Sequence, residues 1–380
     1  FIRPFPDVFE WDLTMLKAVT KKYIDHTLLL DKREDYWLTD GLQTYLMMNY
    51  VSQYYPEIKL AGNISKIWGF RNFNFSKLKF NDKYPFVYQY TARQFLDQAL
   101  NTRSDSLSNF NRKIAGKYKA GLGLRYLADY IGDTIISSSF KEFYKKNKLN
   151  FAKSESFKKI VSKKTSKDIN WFFDEYLTTD KKIDYTIKKA VVLDDSVYVT
   201  IKNKRNITAP VALYGLKNKQ VKFKKWLTNI DSTTTVAIPK NGFDRVSLNF
   251  ENSYPEFNSM DNWKKVGKNI LNKPVQFKLY KDINDPYYHQ IYLQPNIKYN
   301  YYDGALLGLR IHNKPILSRN FQFSITPQYG TKSNSLNGIF NTRYIQYFEN
   351  SRINRIFYSI SGSNLHYAED LSYNTFNQSI

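Results

Sequence analysis

The chain has 380 residues, 42% hydrophobic and 17% aromatic, which is more than one core usually holds, so two or three domains are expected. It contains no Cys, which excludes disulfide staples and thiolate metal sites, and no apolar run of about 18 residues, which excludes a transmembrane helix. Against 34 Asp and Glu stand 57 Lys and Arg, a net charge of +23. The Lys residues are scattered and no recognition helix, finger or RNP pattern is present, so nucleic acid is not an expected partner. A solvated basic surface, or attraction to anionic lipid, accounts for the excess.

The chain opens Phe1-Ile2-Arg3-Pro4-Phe5-Pro6, with neither Met nor a signal segment, and reads as a piece of a longer protein. Residues 12–177 read as helical. Leu13, Leu16, Thr20, Tyr23, Ile24 and Leu28 recur at helical spacing and predict one amphipathic face. The segment 40–54 repeats this with Leu42, Tyr45, Leu46 and Tyr50. A third helix is expected over 116–131, stopped at Gly132-Asp133, and shorter ones over 140–147, 154–161 and 169–177. Thr165, Ser166 and Asp168 are N-cap candidates for the last. From Lys181 short β-rich runs follow at 191–192, 197–201, 211–214, 234–238 and 246–250, with polar turns between them, as in a small sandwich. After a polar stretch at 251–272, six strand-length segments are expected at 288–293, 305–311, 321–329, 338–347, 356–361 and 364–375. Several alternate apolar and polar residues, the weak signature of a transmembrane barrel, which periodicity alone does not separate from a soluble sheet.

Trp37-Leu38-Thr39-Asp40-Gly41-Leu42-Gln43-Thr44-Tyr45 resembles the W-L-N-E-G-F-A-x-Y segment of the aminopeptidase N family of zinc metallopeptidases, the gluzincins. In that family the Glu is the third zinc ligand, 19 residues after the second His of H-E-x-x-H, whose two His bind zinc and whose Glu is the general base. Counting back 19 from Asp40 lands on Lys21, so the frame covers Lys17-Ala18-Val19-Thr20-Lys21. The resemblance thus implies Lys17 and Lys21 at the two His positions, Ala18 at the base and Asp40 at the Glu. Lys ammonium repels a dication and Ala accepts no proton.

A second segment, Lys117-Tyr118-Lys119-Ala120-Gly121-Leu122-Gly123-Leu124-Arg125-Tyr126-Leu127, resembles the family's Y-x-K-G-x-x-x-L-R-x-L, whose Tyr stabilises the oxyanion. Aligning Leu124, Arg125 and Leu127 places Lys117 on that Tyr; a slip of one residue places Tyr118 there. The segment 171–177 resembles the family's later "F-F-x-x-W-L". The four His (His26, His289, His312, His366) lack an i+4 partner and do not restore a ligand set. Residues 299–310 resemble the opening of barrel domains that follow aminopeptidase-like domains in some Bacteroidetes outer-membrane proteins, with Asp303-Gly304 as a tight turn.

The expected architecture is multidomain α + β. It comprises a helical thermolysin-like peptidase domain over 1–180, a β-sandwich over 181–252, a linker over 253–285 and the first strands of a partial transmembrane β-barrel over 286–380. The expected function is that of a non-catalytic pseudopeptidase in the outer membrane of a Gram-negative bacterium, its body periplasmic or surface-exposed. It would serve as a binding or scaffold subunit in envelope protein export or assembly, without a cofactor. Its expected partners are outer-membrane lipid and other envelope proteins. Two alternatives stand beside this: an active zinc aminopeptidase with its zinc site outside the segment, and a basic module binding anionic glycan or lipid.

Overall fold

The structure, a computed structural model, describes residues 3–205, 207–267, 272–348, 351–368 and 371–380. The chain divides into two units, Phe1–Asn272 and Lys273–Ile380.

In the first unit Pro6 ends an extended lead-in to helix α1 (Asp7–Thr27), and Asp7 and Glu10 face the positive helix start. Helix α2 (Tyr36–Tyr54) returns antiparallel to it: Tyr50 Oη donates to Asp12 at 2.9 Å and Gln43 Nε2 to the Lys17 carbonyl at 2.8 Å. Leu42 and Tyr45 are buried as expected, whereas Leu46 is exposed. The connection between the helices contributes strand β1 (Leu29–Leu30). Helix α3 (Lys83–Arg93) follows a looped excursion.

Helix α4 (Gly116–Ile131) matches its expected span and is the hub. Its small residues let α2 approach closely: a Cβ added at Gly41 would lie 2.9 Å from Ala120 Cβ, and one at Gly121 2.5 Å from Thr44 Cγ2. Gly132, at φ 116°, stops it, and α5 (Asp133–Asn147) starts at once, earlier than the expected 140. Tyr23 of α1, expected on the buried face, is instead exposed and stacks on Tyr144 of α5. Strand β2 (Phe151–Ala152) pairs in parallel with β1, and α6 (Ser154–Lys164) follows. Residues 169–177 form a π-type turn, Trp171–Tyr176, preceded by an Asx bond from Asn170 N to Asp168 Oδ1 of 2.9 Å.

Two small sheets complete this unit. One has the order β3-β4-β7, from β3 (Tyr185–Leu193), β4 (Ser196–Asn203) and β7 (Thr233–Pro239). The other has the order β6-β5-β8-β9, from β5 (Val211–Lys217), β6 (Gln220–Leu227), β8 (Arg245–Leu248) and β9 (Trp263–Lys265). Val197, Val199 and Ile201 of β4 and all of 211–216 are buried. Helices and sheets are stitched together by Tyr126 Oη donating to the Pro210 carbonyl and Arg93 Nε to the Phe257 carbonyl at 3.0 Å.

Within the expected linker 253–285, of which 268–271 lie outside the described residues, several residues are packed or paired. Tyr254, Phe257 and Trp263 are buried in the first unit, and β10 (Val275–Leu279) belongs to the second. The second unit is a sheet of seven strands among the described residues, ordered β10 to β16 in sequence. β10 pairs in parallel with β11 (His289–Asn300); then β12 (Gly304–His312), β13 (Phe321–Gly330), β14 (Ser335–Tyr347), β15 (Arg355–Ala368) and β16 (Leu371–Ser379) form an antiparallel meander. The sheet is not closed into a barrel: β10 and β16 are its two edges. Of the last two expected strands, 356–361 and the start of 364–375 fall in β15 and the end of the second in β16, which pairs with it antiparallel; residues 369–370 lie outside the described residues.

Residues sort oddly on this sheet. In β13 Phe321, Ile325 and Tyr329 are exposed while Gln322, Ser324, Thr326 and Gln328 are buried. Register places Phe321 beside Tyr344, Ile325 beside Phe340 and Tyr329 beside Leu336, so the exposed apolar side chains share one face. The other face is polar and hydrogen-bonded across strands: Gln328 Nε2 donates to Asn296 Oδ1 at 2.8 Å and Arg310 Nε to Ser324 Oγ at 2.9 Å. At one end of the sheet Asp303 accepts from Asn300, Ser333, Asn337 and His366, tying three hairpins together.

Candidate functional site

The residues singled out by sequence lie on three helices. Lys17, Ala18 and Lys21 lie on α1, Asp40 on α2, and Lys117 and Tyr118 on α4. The α1–α2 contact is set by Gln43, whose Nε2 also reaches Thr20 Oγ1 at 3.3 Å. It turns Lys17 and Lys21, one helical turn apart, along the same edge of α1.

Asp40 and Lys117 meet. Lys117 Nζ lies 3.2 Å from Asp40 Oδ2, with side-chain exposures of 31% and 26%. Burial pushes the Asp40 carboxyl above its ordinary value; Lys117 opposes this first, and Lys21 also pulls it down while Asp25 pushes it up. Lys21 and Asp25 of α1 are thus within electrostatic reach of Asp40. Tyr36, one turn before Asp40, is buried, and its hydroxyl has no hydrogen-bond partner among the described residues. Burial, then the Asp40 charge, pushes that hydroxyl up. Ala18 is exposed and brings no proton-accepting group.

Lys17 faces a different neighbour. Lys83, at the start of α3, has its Nζ 3.5 Å from the centre of the Phe80 ring. Burial, and then the Lys17 charge, lowers its ammonium to about 8. Nothing in the sequence marks Lys83, because the looped excursion before α3 decides where it arrives. Tyr118 does not join Asp40; its ring packs edge-on to Tyr84 at 4.7 Å. The structure therefore gathers Asp40, Lys117 and Lys21 in one group, sets Lys17 with Lys83 beside it, and lines that side with Tyr84 and Tyr118.

A second charged cluster, also unmarked by sequence, is buried nearby. Asp97 receives Lys182 at 3.0 Å and Lys119 at 3.5 Å, and all three side chains are nearly inaccessible. Lys119 Nζ also donates to the Gln98 carbonyl at 3.3 Å, and Tyr176 Oη donates to the Lys119 carbonyl at 2.7 Å. Burial lowers the Lys119 ammonium against the pull of Asp97. These contacts tie α4 to the π-type turn and to the entry into the sheets, a structural role.

Zinc, which the resemblance implies for this place, does not fit the donor set. Lys17 and Lys21 carry ammonium groups, which are poor zinc ligands, and the Asp40 carboxylate is engaged by Lys117. Among the described residues no group of three or more His, Cys, Asp or Glu converges. His312 packs on Tyr292 and His366 on Asp303, both in the second unit, and His26 lies in the last turn of α1.

No protein-family model matches the chain, and no curated protein matches it. Among solved structures, the crystal structure of Legionella pneumophila aminopeptidase A in complex with aspartic acid is similar with a TM-score of 0.45 and 16% identity, over 64% of this chain. The chain spans 27% of that protein's length, a distant likeness in fold to part of an aminopeptidase.

Proposed function

We propose that the chain is a non-catalytic, peptidase-like protein of the bacterial outer membrane, whose helical body serves as a binding or scaffold subunit in envelope protein export or assembly. The observation that carries the loss of catalysis is the Asp40–Lys117 ion pair. An ammonium neutralises the one carboxylate left at the metal position, and the flanking Lys17, Lys21 and Lys83 make the cleft cationic, which disfavours a dication. What remains is a cation-rich patch carried by α1, α2 and α4 with Tyr84 and Tyr118 beside it, suited on this reading to hold a partner segment rather than to cleave it.

The membrane part of the reading is supported by the second unit's exposed apolar sheet face and hydrogen-bonded polar face, the polarity expected of strands that meet lipid outside and water inside. The seven strands among the described residues are fewer than the eight of the smallest bacterial barrel, so on this reading they are one part of a larger sheet.

Zinc content and hydrolysis of aminoacyl fluorogenic substrates test the proposal together. The expected outcome is zinc far below one ion per chain and turnover at the buffer level, with no gain on adding zinc. Stoichiometric zinc accompanied by turnover would overturn it in favour of an active aminopeptidase.

A further inference from the structure

The strongest feature outside the cleft is the excursion between α2 and α3. Its neck is closed by backbone bonds from Leu60 N to the Leu78 carbonyl at 2.8 Å and from Phe80 N to the Ile58 carbonyl at 3.0 Å, so residues 61–77 leave and return at one point. The tip is a tight turn: Phe70 N and Arg71 N both donate to the Ile67 carbonyl, at 2.9 and 3.0 Å. It is held from below, with Ser76 Oγ donating to the Phe70 carbonyl at 2.8 Å.

Polarity in this loop is inverted. Asn74 and Ser76 are buried, whereas Trp68 is 76% exposed, Phe70 52% and Ile67 37%. A loop this well tied could have folded Trp68 inward; it presents it instead. Lys66 and Arg71 flank the tip and Lys77 stands at the neck, and none of the three forms an ion pair among the described residues. From Ile58 to Asn81 the sequence contains no Asp or Glu.

We propose that residues 66–77 form a membrane-docking loop that seats Trp68, Phe70 and Ile67 in the headgroup boundary of an anionic phospholipid surface. An indole and a phenyl ring beside an aliphatic side chain gain from partial entry into acyl chains, and the surrounding cations gain from anionic headgroups. Nucleic acid is the weaker fit: three cations do not track a phosphate backbone, and Ile67 gains nothing from base stacking. This docking is independent of whether the cleft has lost its chemistry.

The absence of Cys makes the test clean. A Cβ at Gly69 meets nothing within 4 Å, so Gly69→Cys accepts an environment-sensitive dye at the tip, and Lys240→Cys, at the end of β7, gives a control label. The labelled full chain is mixed with phosphatidylcholine vesicles with or without phosphatidylglycerol, and separately with a single-stranded oligonucleotide. The expected result is a blue shift and severalfold brightening at position 69, none at 240, only with phosphatidylglycerol. Trp68→Ala/Phe70→Ala should weaken vesicle affinity at least tenfold at unchanged charge, and Lys66→Glu/Arg71→Glu should abolish the preference for anionic lipid. Unchanged affinity in the Trp68/Phe70 variant would reduce the binding to diffuse charge attraction and overturn the proposal. So would a shift given by oligonucleotide but not vesicles, or a lipid-free shift that grows with protein concentration, the mark of a second copy.

Discussion

At Asp40 the proposed loss of chemistry turns on one neighbour. The Asp40 carboxylate is drawn to Lys117 at 3.2 Å, while Asp25 and then Lys21 act on it from α1 with opposite signs. The pair is part-exposed, so its own contribution to stability is small. Lys21 acts on Asp40 and Lys17 lies one turn away on the same helix edge, so imidazoles placed at both test whether the carboxylate can close a metal site. Lys17→His/Lys21→His/Lys117→Met should bind zinc at least about tenfold more tightly than the same variant carrying Asp40→Asn, because one carboxylate ligand is at stake. Competition with a chromophoric chelator measures both, and equal affinities would show that Asp40 does not close the triangle. Counting along the sequence was enough to bring Lys21 and Asp40 into one frame. It was not enough to choose between Lys117 and Tyr118, since neighbours on a helix point about 100° apart and only packing decides which one faces α2.

The helix pair α2 and α4 carries the site, and its closeness rests on missing side chains. Gly121 sits on Thr44 and Gly41 on Ala120, so the backbones approach where a Cβ would clash. In an exposed helix Gly→Ala stabilises by about 1 kcal/mol. Here the added methyl must displace Thr44, and Gly121→Ala should instead destabilise by about 1–3 kcal/mol, read from the chemical denaturation midpoint. A stabilised variant would mean the crossing is looser than described. Element by element, legibility followed pattern strength. Residues 116–131 have both periodicity and a Gly stop, and the helix matches them. Helix α3 has Pro85 in its first turn and a run of Tyr without a clear polar face, so it carried no comparable signal. Five of the eight residues of β6 are Lys or aromatic and the strand is largely exposed; it is held as a strand by the tight turn Asn218-Lys219, both residues at positive φ, which pairs it with β5, a turn that lacks the Gly by which such hairpins are usually read.

Over the whole molecule the two units pose opposite packing problems. In the first, apolar residues are inside: Val197, Val199, Leu213 and Tyr126 are wholly buried. In the second, alternation along β13 told which residues share a face but not which face is covered, and so left barrel and soluble sheet unresolved. In the structure the covered side chains of β13 are Gln, Ser and Thr and the open ones are Phe, Ile and Tyr. A water-facing sheet would gain from a charge anywhere on its open face. A lipid-facing one is penalised according to depth, by about 2–4 kcal/mol for Lys near the bilayer midplane and about 0–1 near its boundary. Ile325 lies mid-strand and Tyr329 close to the end of β13, on the same face. Ile325→Lys should therefore sharply lower the fraction of chain that assembles into bilayers, scored by heat-modifiable gel mobility, while Tyr329→Lys leaves it nearly unchanged. Equal tolerance of both would return the second unit to water, because a soluble surface has no midplane to distinguish the two positions.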